Sequence, residues 1–166
     1  MSDKSILERD RMQVQFDCRG TATGKMRNDL AVSMVQPLQE SFEMATDEGP
    51  FHGGDGTAPP PLALFVSGLT GCIMTQIRAF AKRLDVELND LTVDVRVIWN
   101  WQKTGKTYET GPESFEIDID IDSPSDEAAI ITLINAAKKG CFIEQTLAQP
   151  NVVRHRFNTP DGWREV

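Results

Sequence analysis

Histidine and cysteine are scarce: the 166 residues hold two of the first and three of the second. Cys18, Cys72 and Cys141 form no C-x-x-C pair, and neither His52 nor His155 stands at ligand spacing from any of them. That speaks against a structural zinc site, and no metal is expected. An odd number of cysteines is a poor disulfide scaffold. The opening MSDKSILERD is charged and lacks the apolar core of a secretory signal, so a cytoplasmic protein is expected. Basic clusters are missing as well. With 17 Lys and Arg against 25 Asp and Glu, the net charge is −8. An acidic surface of this kind opposes binding to nucleic acid, where cations supply most of the affinity, and opposes docking on anionic membranes. Long apolar runs are also absent. Residues 62–69 are interrupted by Ser67 and Gly68 and fall short of the roughly 20 residues of a membrane span. No internal repeat or low-complexity tract is visible. What remains fits a single domain over residues 1–166, with the polar residues 1–10 frayed.

The apolar residues that are present fall into clear periods. Met12, Val14, Phe16 and Cys18 alternate with polar residues, which predicts a half-buried strand with Cys18 packed in the core. Residues 21–29 read as a hairpin turn, and residues 30–35 as the return strand. Residues 45–61 are rich in Gly and Pro and predict a long loop that holds His52 as a surface residue. Pro61 then opens a helix whose stripe is Leu62, Phe65, Val66, Leu69, Cys72, Ile73, Ile77, Phe80 and Leu84. Gly68 and Gly71 inside this helix suggest a neighbour packed close to its backbone. Residues 91–102 and 115–122 alternate strictly, which predicts two antiparallel strands with one dry face. Trp99 and Trp101 fall on that face, and Glu116, Asp118, Asp120 and Asp122 on the wet one. Ser123 reads as the N-cap of a second helix with its body over residues 128–137, stopped at Gly140. A short helix over residues 142–147 and a last strand over residues 152–157 complete the chain. The fold class is α+β, with a mostly antiparallel sheet and a long central helix.

Two thiols stand out by position. Cys72 lies mid-way along the apolar stripe of the long helix. Cys141 lies at the start of the short one, where the helix dipole would favour a thiolate. Such a pair suits attack and resolution: one sulfur takes an oxygen from a peroxide, and the other condenses with it to a disulfide. A buried structural role is the alternative for each.

The residues carrying these features resemble the OsmC/Ohr family, the osmotically inducible and organic hydroperoxide resistance proteins. The run Pro61-Leu62-Ala63-Leu64-Phe65-Val66-Ser67-Gly68-Leu69-Thr70-Gly71-Cys72 is similar to the family's cysteine helix. Its continuation through residues 79–86 and 91–93 also fits. Ala136-Ala137-Lys138-Lys139-Gly140-Cys141, followed by Gln145-Thr146-Leu147, resembles the second cysteine region. Thr21-Ala22-Thr23-Gly24-Lys25-Met26-Arg27 resembles the hairpin that bears the family's arginine. The resemblance covers about residues 12–157. It implies an intertwined homodimer with sites at the subunit interface, the cysteine helix being central. It implies a thiol-dependent peroxidase that reduces organic hydroperoxides and is regenerated by a dithiol, with no cofactor. In that scheme Cys72 is the peroxidatic thiol, Cys141 the resolving thiol, and Arg27 the cation that favours the thiolate. Leu62 stands where the better-characterised peroxidases carry a Glu that pairs with the arginine, and Phe142 stands where Pro is usual. These departures leave two other readings, a non-catalytic relative binding an apolar ligand and a redox sensor.

Overall fold

The protein was analysed as a computed structural model that describes residues 11–166; the expected fraying of residues 1–10 lies outside the described residues. Contacts divide the chain into two compact units, one ending at Phe65 and one running from Val66 to Val166.

In the first unit β1 (Gln15–Ala22), β2 (Asn28–Gln36) and β3 (Glu40–Thr46) form an antiparallel sheet in the order β1-β2-β3. Ala22 pairs with Asn28, and the Thr23 N–H donates to the Arg27 carbonyl at 3.0 Å, so the hairpin expected from the sequence is present. Met12 and Val14 precede the strand rather than opening it. Cys18 is exposed, not packed in a core. It sits on an edge strand of a sheet whose apolar residues stay open, with Phe16 52% exposed. The loop after β3 contains one 3-10 turn, Pro50–His52. Gly54 is required there, because a methyl would fall onto the Glu48 carbonyl oxygen.

Helix α1 (Pro61–Arg83) begins in the last residues of the first unit and ends in the second. Pro61 suits a first turn, where its missing N–H costs nothing. The helix closes with Asp85 at φ 53°, a left-handed position, while the Val86 N–H donates to the Ala81 carbonyl at 3.0 Å. This is a Schellman close, and Val86 and Ala81 both join the core beneath it. By length and composition α1 could cross a membrane, a test that core helices of globular proteins also pass.

The rest of the second unit follows from its patterning. β4 (Asp90–Thr104) and β5 (Thr107–Asp122) pair antiparallel. Leu91, Val93, Val95 and Val97 face Ile121, Ile119, Ile117 and Phe115 across the ladder, the cross-strand pairs that stabilise a sheet. Thr104 opposite Thr107 leaves a two-residue turn with Gly105 at φ 63°. Trp99 is half-buried, edge-on to Phe115 at 6.4 Å between ring centroids. Trp101 is exposed beside Tyr108, beyond the reach of the core. α2 (Glu127–Gly140) is capped by Asp126, whose carboxylate accepts from the Ala129 N–H at 2.8 Å. Ser123, expected as the cap, instead donates to the Glu87 carbonyl and accepts from the Ser125 N–H. α3 (Phe142–Leu147) follows at once. The last strand lies later than expected, and it is a hairpin: β6 (Arg156–Thr159) pairs with β7 (Gly162–Glu165).

Among the described residues the strands thus form three separate antiparallel sheets within an α+β fold, not one sheet. The core of the second unit joins Ile73, Ile77 and Ala81 of α1 to Val86, Val93, Leu133, Ala137 and Cys141. Burying each larger aliphatic side chain of this kind contributes roughly 1.5–3 kcal/mol.

Candidate active site

The second unit brings the two sequence-predicted thiols together. Cys72 is partly buried on α1 and packs against the cluster that contains the fully buried Cys141. Both thiols are free, and Cys72 is near enough to act on the Cys141 sulfur.

Cys141 is placed by two helices at once. It ends α2 and caps α3, and its sulfur accepts from the Glu144 N–H at 3.5 Å. Gly140 sets its depth, since a methyl there would meet the Phe80 ring at 2.5 Å. Only glycine lets α2 approach α1 this closely. Gly68 has the neighbour foreseen for it, with Ile143 3.5 Å from where a methyl would stand, whereas a methyl at Gly71 would meet nothing within 4 Å.

The sequence pointed to a thiolate at Cys141, and here the structure differs. Burial, assisted by the neighbouring Cys72 thiol, pushes Cys141 up from 9.0 to about 11, although the Glu144 and Ile143 N–H groups pull the other way. A six-residue helix offers two donors, and desolvation of the charged sulfur outweighs them. Cys141 is therefore a protonated thiol at neutral pH.

Arg27 belongs to the first unit, at the end of the β1–β2 turn. Its Nε donates to Asp29 Oδ1 at 3.0 Å, and its Nη1 to Thr57 Oγ1 at 2.9 Å and the Thr57 carbonyl at 3.3 Å. So a carboxylate partner exists although Leu62 replaces the expected Glu. Behind Thr57 stands Asp47, only 2% exposed. Asp47 Oδ2 accepts from both the N–H and the hydroxyl of Thr57, each at 2.8 Å. The Thr57 N–H holds the Asp47 carboxyl below its ordinary range against the opposing effect of burial, with help from the Thr57 hydroxyl, the Glu48 N–H and the Arg27 charge. Sequence reading missed Asp47 and Thr57, because a loop rich in Gly and Pro gives no periodic signal. The available hint was a short Asp and Thr flanking it.

Lys25 of the same turn reaches Asp55 at 2.6 Å, which raises the lysine's pKa. Arg27 and Asp29 also line an open cavity of about 610 Å³ over the sheet, together with Arg19, Leu30, Glu43 and Met44. Its size falls in the usual range for small-molecule sites. His52 lies in the loop, exposed, 3.3 Å from Glu48 Oε2. Glu116 of the acidic strand face pairs with Arg96 at 2.7 Å. Among the described residues no group of three or more His, Cys, Asp or Glu is placed to hold a metal.

The profile of the OsmC-like protein family matches residues 54–156. An OsmC-like hydroperoxide resistance protein from Jannaschia sp. CCS1 is 58% identical, with 92% of this chain and 98% of that chain covered and a TM-score of 0.65. An OsmC-like protein from Mycoplasma pneumoniae shares the fold at 23% identity and TM-score 0.61, covering 84% of this chain and 89% of its own. The organic hydroperoxide resistance protein OsmC of Legionella pneumophila does so at 17% identity and TM-score 0.55, over 80% of this chain and 88% of its own. No curated protein matches the chain. The profile match spans both thiols and most of the domain, and the Jannaschia relative extends it over nearly the whole length: the chain belongs to the OsmC-like protein family.

Proposed function

We propose that this protein is a thiol-dependent peroxidase that reduces organic hydroperoxides through Cys72 and Cys141. The observation that carries the reading is that a partly buried Cys72 packs against the cluster that holds the fully buried, protonated Cys141. The name of the 58% identical relative, a hydroperoxide resistance protein, supports the substrate class.

The Cys72 thiolate attacks the terminal oxygen of ROOH. The O–O bond breaks, RO⁻ leaves and takes a proton to become ROH, and Cys72 becomes a sulfenic acid. The Cys141 sulfur then attacks the sulfenic sulfur. A disulfide forms, and the Cys141 proton leaves with the hydroxyl as water. A dithiol reduces the disulfide in two exchange steps, is itself oxidised to a cyclic disulfide, and restores both thiols. Dry packing around Cys141 favours a sulfur that waits as S–H until sulfenic acid appears beside it. Arg27 is assigned the task of stabilising the anionic Cys72 sulfur and the departing oxygen. In this reading residues 1–166 act as one OsmC-like domain, in a cytoplasmic homodimer, without a cofactor.

The test is consumption of cumene hydroperoxide with a dithiol donor. Turnover that is lost in Cys72→Ser supports the proposal. In Cys141→Ser a single turnover should end in a sulfenic acid that dimedone traps. Full turnover in Cys72→Ser would refute it.

A further inference from the structure

Arg27 is held by hydrogen bonds to Asp29 and Thr57. A guanidinium works in an active site only if it is aimed, and an exposed arginine held by one carboxylate keeps considerable rotamer freedom. Asp29, its ion-pair partner, is half-exposed and two residues away at the start of β2, so that pair contributes little fixed orientation. The second anchor is of another kind. The Thr57 hydroxyl has one hydrogen, and Asp47 Oδ2 takes it at 2.8 Å. The lone pairs of that oxygen are thereby turned outward, and one meets Arg27 Nη1 at 2.9 Å. Asp47 cannot easily release Thr57, because the same oxygen also holds the Thr57 N–H, and because its carboxylate lies almost wholly buried. The Asp47 N–H in turn donates to the Pro59 carbonyl at 3.2 Å, closing the neck of the loop around Thr57.

We infer that Thr57, oriented by the buried Asp47, is the positioning residue for Arg27. The inference rests on the peroxidase reading for Arg27's task. Thr57 touches no reacting atom. It acts through Arg27, so its effect is confined to whatever Arg27 contributes.

The test uses the full chain and two readouts. The first is kcat/KM for cumene hydroperoxide. The second is the pH profile of Cys72 alkylation by iodoacetamide, which needs no peroxide turnover. Arg27→Gln should lower kcat/KM about 100-fold, and Thr57→Val about tenfold. Both should move the alkylation profile to higher pH. Thr57→Ser, which keeps the hydroxyl, should return kcat/KM to within about twofold of the parent. Added to Arg27→Gln, Thr57→Val should have no further effect, the non-additivity of two residues acting as one. Asp55→Asn breaks the other clasp between the same turn and the same loop, Lys25 to Asp55, and should leave both readouts unchanged. Equal losses in Thr57→Ser and Thr57→Val, or in Asp55→Asn and Thr57→Val, would reduce Thr57 to loop structure and overturn the inference. A silent Arg27→Gln in a protein whose turnover still depends on Cys72 would overturn it too, while sparing the peroxidase reading. Absence of turnover in the parent would sink that reading, with the alkylation profiles still deciding the role of Thr57.

Discussion

The two units handle their chemical residues in opposite ways. In the first, Arg27 is partly exposed and owes its orientation to charge and hydrogen bonds, ending in a single buried carboxylate, Asp47. In the second, Cys141 lies in an aliphatic cluster with Ile73, Ile77 and Leu133, and Cys72 packs against that cluster. The difference follows from what each group needs. A guanidinium must keep its charge hydrated or paired, so it is held at the edge of a polar network. A thiol buried among aliphatic side chains stays protonated, because its charged form loses solvation. Packing alone keeps the Cys141 sulfur dry, and it moves the Cys141 pKa up.

If that contrast is right, apolar truncations should damage the second unit most. Leu133→Ala removes a side chain with no exposed surface and should cost about 2–5 kcal/mol in denaturant unfolding. Gly140→Ala should follow at about 1–3 kcal/mol, because the new methyl meets the Phe80 ring at 2.5 Å. Gly71→Ala should instead stabilise by up to about 1 kcal/mol, since nothing stands within 4 Å and alanine is the better helix former. Thermal melts of the two glycine variants should move in opposite directions.

The pH dependence separates the units more gently. The Cys141 pKa is raised from 9.0 to about 11 in the folded chain, so the folded state holds a proton that the unfolded state gives up. Its contribution to stability is complete below pH 9.0 and is lost as pH rises toward 11. Cys141→Ala should flatten that alkaline decline in melts taken across the interval. Asp47 has the opposite sign. Its folded pKa lies below the ordinary 3.8, so its contribution is present above that value and is lost as pH falls through the folded pKa. Asp47→Asn should flatten the acid limb and leave the alkaline one unchanged.

Much of the second unit was legible in the sequence. The stripe from Leu62 to Leu84 located α1, and the alternation from Leu91 to Trp101 and from Phe115 to Ile121 located β4 and β5, because burial on one face imposes a period on the side chains. The first unit was harder. β3 has only Phe42 and Met44 in alternation, both exposed, so little burial selects its pattern. Cys18 looked internal for the same reason: alternation reports a face, not what covers it. At α2 the sequence pointed to Ser123 as the cap, whereas local geometry gave Asp126 the Ala129 N–H and Ser123 served the turn before it. Helical periodicity located Cys72 within α1 and Cys141 at the start of α3, where the structure has them. The Cys141 pKa was not legible, because the helix start is a local signal and burial is a tertiary one. Asp47 and Thr57 were invisible, since their partnership across ten residues of loop leaves no repeat to read.

The direct test of the central claim is a mass measurement on the non-reduced protein after one equivalent of cumene hydroperoxide at neutral pH, with alkylation of remaining thiols and peptide mapping. The account predicts a Cys72–Cys141 disulfide formed within the first turnover, with Cys18 alkylated. Cys72 and Cys141 both recovered alkylated, after the peroxide has been consumed or has persisted, would contradict it.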